Sequence, residues 1–214
     1  EPNFAEDEVE LEEAWVGPRL LGGRATLHIG RMKAPFNLEE VRSRRHIDFP
    51  YFSIVNQLAP AEDTGLFLNG ASADGIHEYG FALYNGTGES DTNSSKDVAA
   101  RWMLHPFAGD TTSRLANLQL GLAGTLGSQD EAVGDTAIRN ETRLDIVPFA
   151  DDARLDGTRE RLGLELAWFD GPWFLQAEYL GMRQEMTSGA GAERVWFHGG
   201  YVTFARVLTG ESKS

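Results

Sequence analysis

The chain has no cysteine, so neither a disulfide framework nor a thiolate metal site is available to it. Basic residues are scarce: 19 Lys and Arg stand against 33 Asp and Glu, and the formal net charge of −14 argues against nucleic acid as a partner. No apolar run approaches the roughly 18–20 residues that a membrane helix needs, and no secretory leader is visible. The histidines, at positions 28, 46, 77, 105 and 198, are scattered without HxxxH or similar ligand spacing, and the acidic stretch 127–159 lacks the Asp/Asn-Gly pattern of a calcium loop. No nucleophile elbow or paired-carboxylate motif stands out. Neither catalysis nor a cofactor or metal is therefore expected.

What the chain has in abundance is glycine, at 24 residues, and short alternating segments. Strands are expected at roughly 7–16, 24–33, 64–72, 76–85, 97–106, 115–126, 160–169, 172–183 and 194–208. Val98, Ala100, Trp102 and Leu104 oppose Ala99, Arg101, Met103 and His105; Leu162, Leu164, Leu166 and Trp168 oppose Arg161, Gly163, Glu165 and Ala167. A soluble sandwich also alternates, but its polar side faces bulk water. Here that side is repeatedly small or mixed, with Gly80, Ala82, Ala99, Gly121, Ala123, Gly163 and Ala167. Apolar outside with polar and small inside is the pattern of a membrane barrel. Trp15, Tyr84, Trp168, Phe169, Trp173 and Phe174 fall near strand ends, where ring side chains suit a bilayer interface.

Connection lengths point the same way. Gly17–Gly23, Ala73–Gly75, Phe107–Arg114 and Asp170–Pro172 are short, whereas Ala34–Asp63, Asn85–Lys96, Gly127–Arg159 and Gln184–Glu193 are long. The two kinds alternate along the chain, as periplasmic turns and outer loops do in an outer-membrane barrel. The acidic charge concentrates in Glu1–Glu13 and in 127–159, outside the apolar stretches. The expected fold is all-β, an antiparallel transmembrane β-barrel. The expected strands number nine, an odd count, and bacterial single-chain barrels close with an even number, so the chain is either an internal segment of a larger barrel, the favoured reading, or holds one strand more than the pattern reveals.

The run Thr26–Glu39 begins as a strand and breaks at Ala34-Pro35, where proline can neither donate to a ladder nor leave its predecessor free. About thirty irregular residues follow, a length that usually signals function or disorder; they hold Arg42, Arg44, Arg45 and His46 close together. We expect this segment to fold into the mouth of the barrel. Its arginines could form a positive ring focused on a passing anion, or could pair with Glu39, Glu40 and Asp48 to hold the segment in place.

Four motifs, in order, carry a family resemblance. They are His28-Ile-Gly-Arg-Met-Lys-Ala-Pro-Phe-Asn-Leu-Glu39, Phe81-Ala-Leu-Tyr-Asn-Gly-Thr-Gly88 with Lys96-Asp-Val-Ala-Ala-Arg101, Gly163-Leu-Glu-Leu-Ala-Trp168 with Gly171-Pro-Trp-Phe-Leu-Gln-Ala-Glu-Tyr179, and Tyr201-Val-Thr-Phe-Ala-Arg-Val-Leu-Thr-Gly-Glu211. Together they resemble the phosphate-selective porin O and P family of Gram-negative outer membranes, over about the middle half of a family member. The resemblance implies a homotrimeric barrel of about sixteen strands, about nine or ten of them in this chain. It implies an outer-membrane location among lipid, passive diffusion of small inorganic or organic anions such as phosphate, and a constriction made by an inward-folded loop at 34–63. The stretch 127–159 would be a long acidic outer loop. Arg45 falls on a basic position of the family's constriction, Glu40 on another as a charge reversal, and Glu12 on its acidic border. Arg139 keeps one arginine of the pore wall, while Ala137 stands in place of its neighbour.

On the expected registers Arg31, Arg101, Arg161, Glu165 and Glu178, with Glu12, point into the lumen, as transport charges or as cross-strand packing partners. A competing reading from a different class is a soluble or surface β-sheet module that binds glycans through Trp15, Trp173 or Trp196.

Overall fold

Alternation of apolar with small or polar residues becomes one antiparallel sheet of ten strands in the computed structural model, which describes residues 2–3, 10–11, 13–42, 49–88, 94–110, 112–133, 138–139 and 145–212. The strands are β1 (Ala14–Val16), β2 (Arg19–Leu20), β3 (Ala25–Lys33), β4 (Glu62–Ala71), β5 (His77–Tyr84), β6 (Asp97–Leu104), β7 (Gln119–Ala132), β8 (Arg154–Asp170), β9 (Trp173–Ser188) and β10 (Gly191–Arg206). Each pairs with its neighbour in sequence from β3 to β10, and β1 and β2 both pair with β3. Two small ribbons, Pro2–Asn3 with Glu10–Leu11 and Ile138–Arg139 with Asp145–Val147, stand apart. Among the described residues the sheet is open, with β1 and β10 at its edges.

All nine expected strands are present, but several bounds move. Of the first, Ala14–Val16 joins the sheet as β1 and Glu10–Leu11 belongs to a separate ribbon, while β2 falls within the expected connection Gly17–Gly23. The strands from β7 to β10 run further toward the long-connection end than the apolar pattern reaches, so the connection between β7 and β8 is 133–153, and β9 and β10 are joined by the tight turn at Gly189-Ala190. The alternation of short and long connections therefore ends before its last member. The extra rungs carry polar residues such as Gln129, Arg159 and Gln184, which give no apolar period to read.

Registers are regular enough to follow rungs across the sheet. One face carries Ile29, Leu66, Leu83, Val98, Leu126, and Trp102, Leu122, Leu164 and Tyr179, all exposed. Val202 at 73% and Phe204 at 63% exposure continue it on β10. Exposed apolar side chains in runs of four and five strands suit lipid and would aggregate in water, and the first run ends where Leu126 meets the Glu160–Arg183 pair on β8 and β9. The opposite face runs Gly80, Arg101, Ala123, Gly163, Leu180, Gly199 on one rung and Met103, Gly121, Glu165, Glu178, Tyr201 on the next. This is the small and polar face.

Not every strand-end aromatic joins the apolar face. Trp168, Trp173 and Phe204 do, and Arg206 stacks on Trp173 at 4.6 Å. Tyr84, Phe169 and Phe174 instead lie on the polar face, Tyr84 stacked against Phe67 and Phe169 against Phe174. Trp15 packs edge-on against His28 on that side. Position near a strand end cannot reveal the side of the pleat, which depends on the register of the whole strand.

Candidate functional site

The break at Ala34-Pro35 sends the chain across the polar face. Ala34 to Glu40 are all buried, a one-turn helix α1 (Leu38–Val41) follows the proline, and a short 3-10 turn (Ile54–Leu58) rests on β9 and β10. The small residues of the wall now have a physical role. A Cβ added to Gly80 would sit 2.7 Å from the Pro35 Cβ, and one added to Gly199 would sit 2.6 Å from Val55 Cγ1. Phe36, wholly buried, packs with Val55, Leu58, Ala123 and Leu180 into one apolar cluster. Burying the phenyl ring and two aliphatic side chains contributes about 1.5–3 kcal/mol each, which holds an otherwise irregular segment against the wall.

Polar contacts complete the attachment. Glu178 on β9 accepts from the Leu38 amide at 2.5 Å, from the Glu39 amide at 3.2 Å and from the Tyr201 hydroxyl at 2.5 Å. Within the segment, Glu39 accepts from the amide and hydroxyl of Ser53, and Asn37 donates to Asn56 at 2.7 Å. Glu40 takes a proton donor from Asn56 Nδ2 at 2.8 Å and lies 3.7 Å from Lys33 Nζ, which also reaches Glu62. The carboxylates at 39 and 40 thus brace the segment internally.

Arg42 leaves α1 and donates from Nη1 to Gln176 Oε1 at 3.0 Å, with its guanidinium over the Phe169 ring at 5.4 Å. Burial lowers its pKa, and Tyr201 and Glu178 oppose that shift; a guanidinium stays charged at neutral pH all the same. Glu12, Arg44, Arg45 and His46 lie outside the described residues. Arg139 lies in the two-residue strand that pairs with Asp145–Val147.

Of the five wall charges read from the sequence, four share the polar face and are already partnered. Arg101 makes a bidentate pair with Glu165, at 2.8 Å and 2.7 Å, reaching over β7 at Gly121, where a Cβ would come within 3.0 Å of the glutamate. Glu165 and Glu178 stand directly opposite each other on β8 and β9, two like charges that would repel. Arg101 neutralises the first, and the amides of the segment solvate the second. Arg161 lies 4.0 Å from Asp97. Arg31 takes the pleat side of Leu27 and Ile29 and donates to the Gly88 carbonyl at 3.1 Å.

Sequence reasoning missed a second cluster. Asp97, wholly buried, accepts from Arg159 at 3.1 Å and Gln129 at 3.2 Å. Asp63 accepts from the amides of Gly86 and Gly88, at 2.8 Å and 3.0 Å, pinning the start of the connection after β5. The signal was available: Asp97 shares the parity of Ala99 and Arg101, and Arg159 that of Arg161 and Glu165.

On its short-turn side the segment leaves an open cleft of about 570 Å³ between Pro35, Val41 and the wall, lined by Arg24, Lys33 and Arg101 as well as Glu13 and Glu78. Cations and carboxylates beside a hydrated gap can pass and orient a small anion without any chemistry. The three tryptophans of the glycan reading do not converge: Trp15 is on the polar face, Trp173 and Trp196 on the apolar one. A family model described as phosphate-selective porin O and P matches residues 1–214. No curated protein matches the chain.

Proposed function

Because the chain belongs to the phosphate-selective porin O and P family, whose members are channels rather than enzymes, we propose that residues 34–63 form the constriction of its pore and meter the passive diffusion of small anions. The family is one of Gram-negative outer membranes, and we place this chain there, in a barrel that assembles as a homotrimer in lipid. Nothing supports the glycan-binding module.

The observation that carries the constriction is the seating of Pro35, Phe36 and Val55 on the small-residue wall of the face opposite the lipid-like band. In this reading Arg42 is the cation presented from the segment, and Arg44, Arg45, Arg139 and Glu12 are assigned to the constriction from the sequence. Arg101, Arg161, Glu165 and Glu178 belong to the pore wall; Arg31 does not. Glu40, a reversed charge relative to the family's basic position, is held by Lys33 and Asn56. Its negative charge is spent inside the segment, so anion passage is compatible with it.

Reversal potentials of the full-length protein in planar bilayers under a KCl gradient test this reading. Anion preference is expected, despite the net charge of −14. A cation-favouring potential would overturn it.

A further inference from the structure

Both ends of α1 hang from one hydrogen-bonded chain on the wall. At its start, the Leu38 and Glu39 amides donate to the Glu178 carboxylate. At its end, Arg42 donates to Gln176 Oε1. Between these points Gln176 Nε2 donates to the Tyr201 hydroxyl, which donates on to Glu178 Oε2. The sequence alternation places these wall residues together, since Gln176 and Glu178 are successive inward positions of β9 and Tyr201 is the cross-strand partner of Glu178. Glu178 is 4% and Gln176 8% exposed, so neither offers a free charge or amide to a passing solute. Arg42 is different. It is half-buried, and Gln176 is its one hydrogen-bond partner among the described residues, leaving most of its five N–H donors uncommitted.

We infer that Glu178, acting through Tyr201 and Gln176, is a positioning residue for ion selectivity: it fixes α1 on the wall and thereby sets where the Arg42 guanidinium meets the anion. This inference rests on the constriction reading above. It reverses the sign that the carboxylate's own charge would give. A lumen glutamate acting by charge repels anions, and its removal raises anion preference. A glutamate that holds the selecting cation in place does the opposite. Gln at this position keeps one acceptor oxygen but loses the second and its negative charge, so it cannot serve both amides and the phenol as the carboxylate does.

The test is the KCl-gradient reversal potential and open-channel current noise of full-length protein carrying Glu178→Gln, Tyr201→Phe or Gln176→Leu, each beside wild type. Tyr201→Phe removes one hydroxyl, keeps the ring and changes no charge, so it reports positioning alone should Glu178→Gln fail to fold. All three variants are expected to lower the chloride-over-potassium permeability ratio by about twofold or more, with increased noise, because a guanidinium displaced by a few ångströms focuses less field on the pore. A rise in anion preference with Glu178→Gln, or an unchanged ratio with Tyr201→Phe, overturns the inference while leaving the anion channel intact. Cation preference in the wild type itself would instead overturn the constriction reading.

Discussion

Asp97 lies across Gly127: a Cβ added to the glycine would fall 1.7 Å from the aspartate Oδ1. The absent side chain lets a wholly buried carboxylate on β6 reach past β7 to Arg159 on β8. The same device recurs at Gly121, over which Arg101 reaches Glu165. Both of these pairs connect alternate strands across a glycine, whereas Arg161 approaches Asp97 across Thr125, to which it donates at 3.4 Å.

Gly127→Ala is therefore expected to displace Asp97 and strip a buried guanidinium of its partner, at a cost of about 3 kcal/mol. Gly124→Ala is the control, since its added Cβ meets nothing closer than 3.5 Å. Urea unfolding in detergent, followed by tryptophan fluorescence, should show a lowered midpoint for the first and little change for the second. Equal midpoints would refute the crossing.

Truncating one partner of the Arg101–Glu165 pair should be worse than replacing both. Arg101→Ala leaves Glu165, with a fully buried side chain, unpaired beside Glu178, and about 3–5 kcal/mol of destabilisation is expected. The double replacement Arg101→Leu with Glu165→Leu should recover most of that stability. A double-mutant cycle with no coupling would show that the pair is solvated.

Arg42→Ala removes the described cation of the segment while leaving Glu178 and its contacts in place. The anion-over-cation permeability ratio should fall by about twofold or more, with the unfolding midpoint nearly unchanged. An unaltered reversal potential would assign selectivity to other residues.

Gly80→Val should push Pro35 off the wall and toward the pore axis. Single-channel conductance is expected to fall, with a stability cost of about 1–3 kcal/mol from overpacking. Conductance equal to wild type would mean that the segment does not narrow the pore at Pro35.

Much of this is legible in the sequence. Period-two alternation located every strand of the sheet except β2, because lipid-like and small residues differ so sharply on the two sides of the pleat. The small residues Gly80, Ala123 and Gly163 are readable as an inner face, but not as seats for Pro35 and Phe36, and nothing in the sequence singles out Gly199 as the seat of Val55. That requires knowing where an irregular segment crosses the sheet, and no period records it. The charge of Arg31 suggests the lumen, whereas its parity with Leu27 and Ile29 sets its Cβ on the other side of the pleat. Tyr84, Phe169 and Phe174 failed for the same reason: ring chemistry suggested a membrane belt and the register put them inside. Glu178 was found, but as a wall charge; its amide partners lie 139 and 140 residues away in sequence. Long-range hydrogen bonds of that kind leave no local pattern.

The seating of the 34–63 segment on the wall can be measured by cross-linking. Val55 Cβ and a Cβ built on Gly199 are 3.9 Å apart, within the range a disulfide spans, and residues 1–214 contain no cysteine. Full-length protein carrying Val55→Cys and Gly199→Cys should form the cross-link on mild oxidation, and its conductance and ion selectivity should match the reduced form. Failure to cross-link, or a cross-link that alters the conductance, would contradict a segment that already lies against the wall of the open channel.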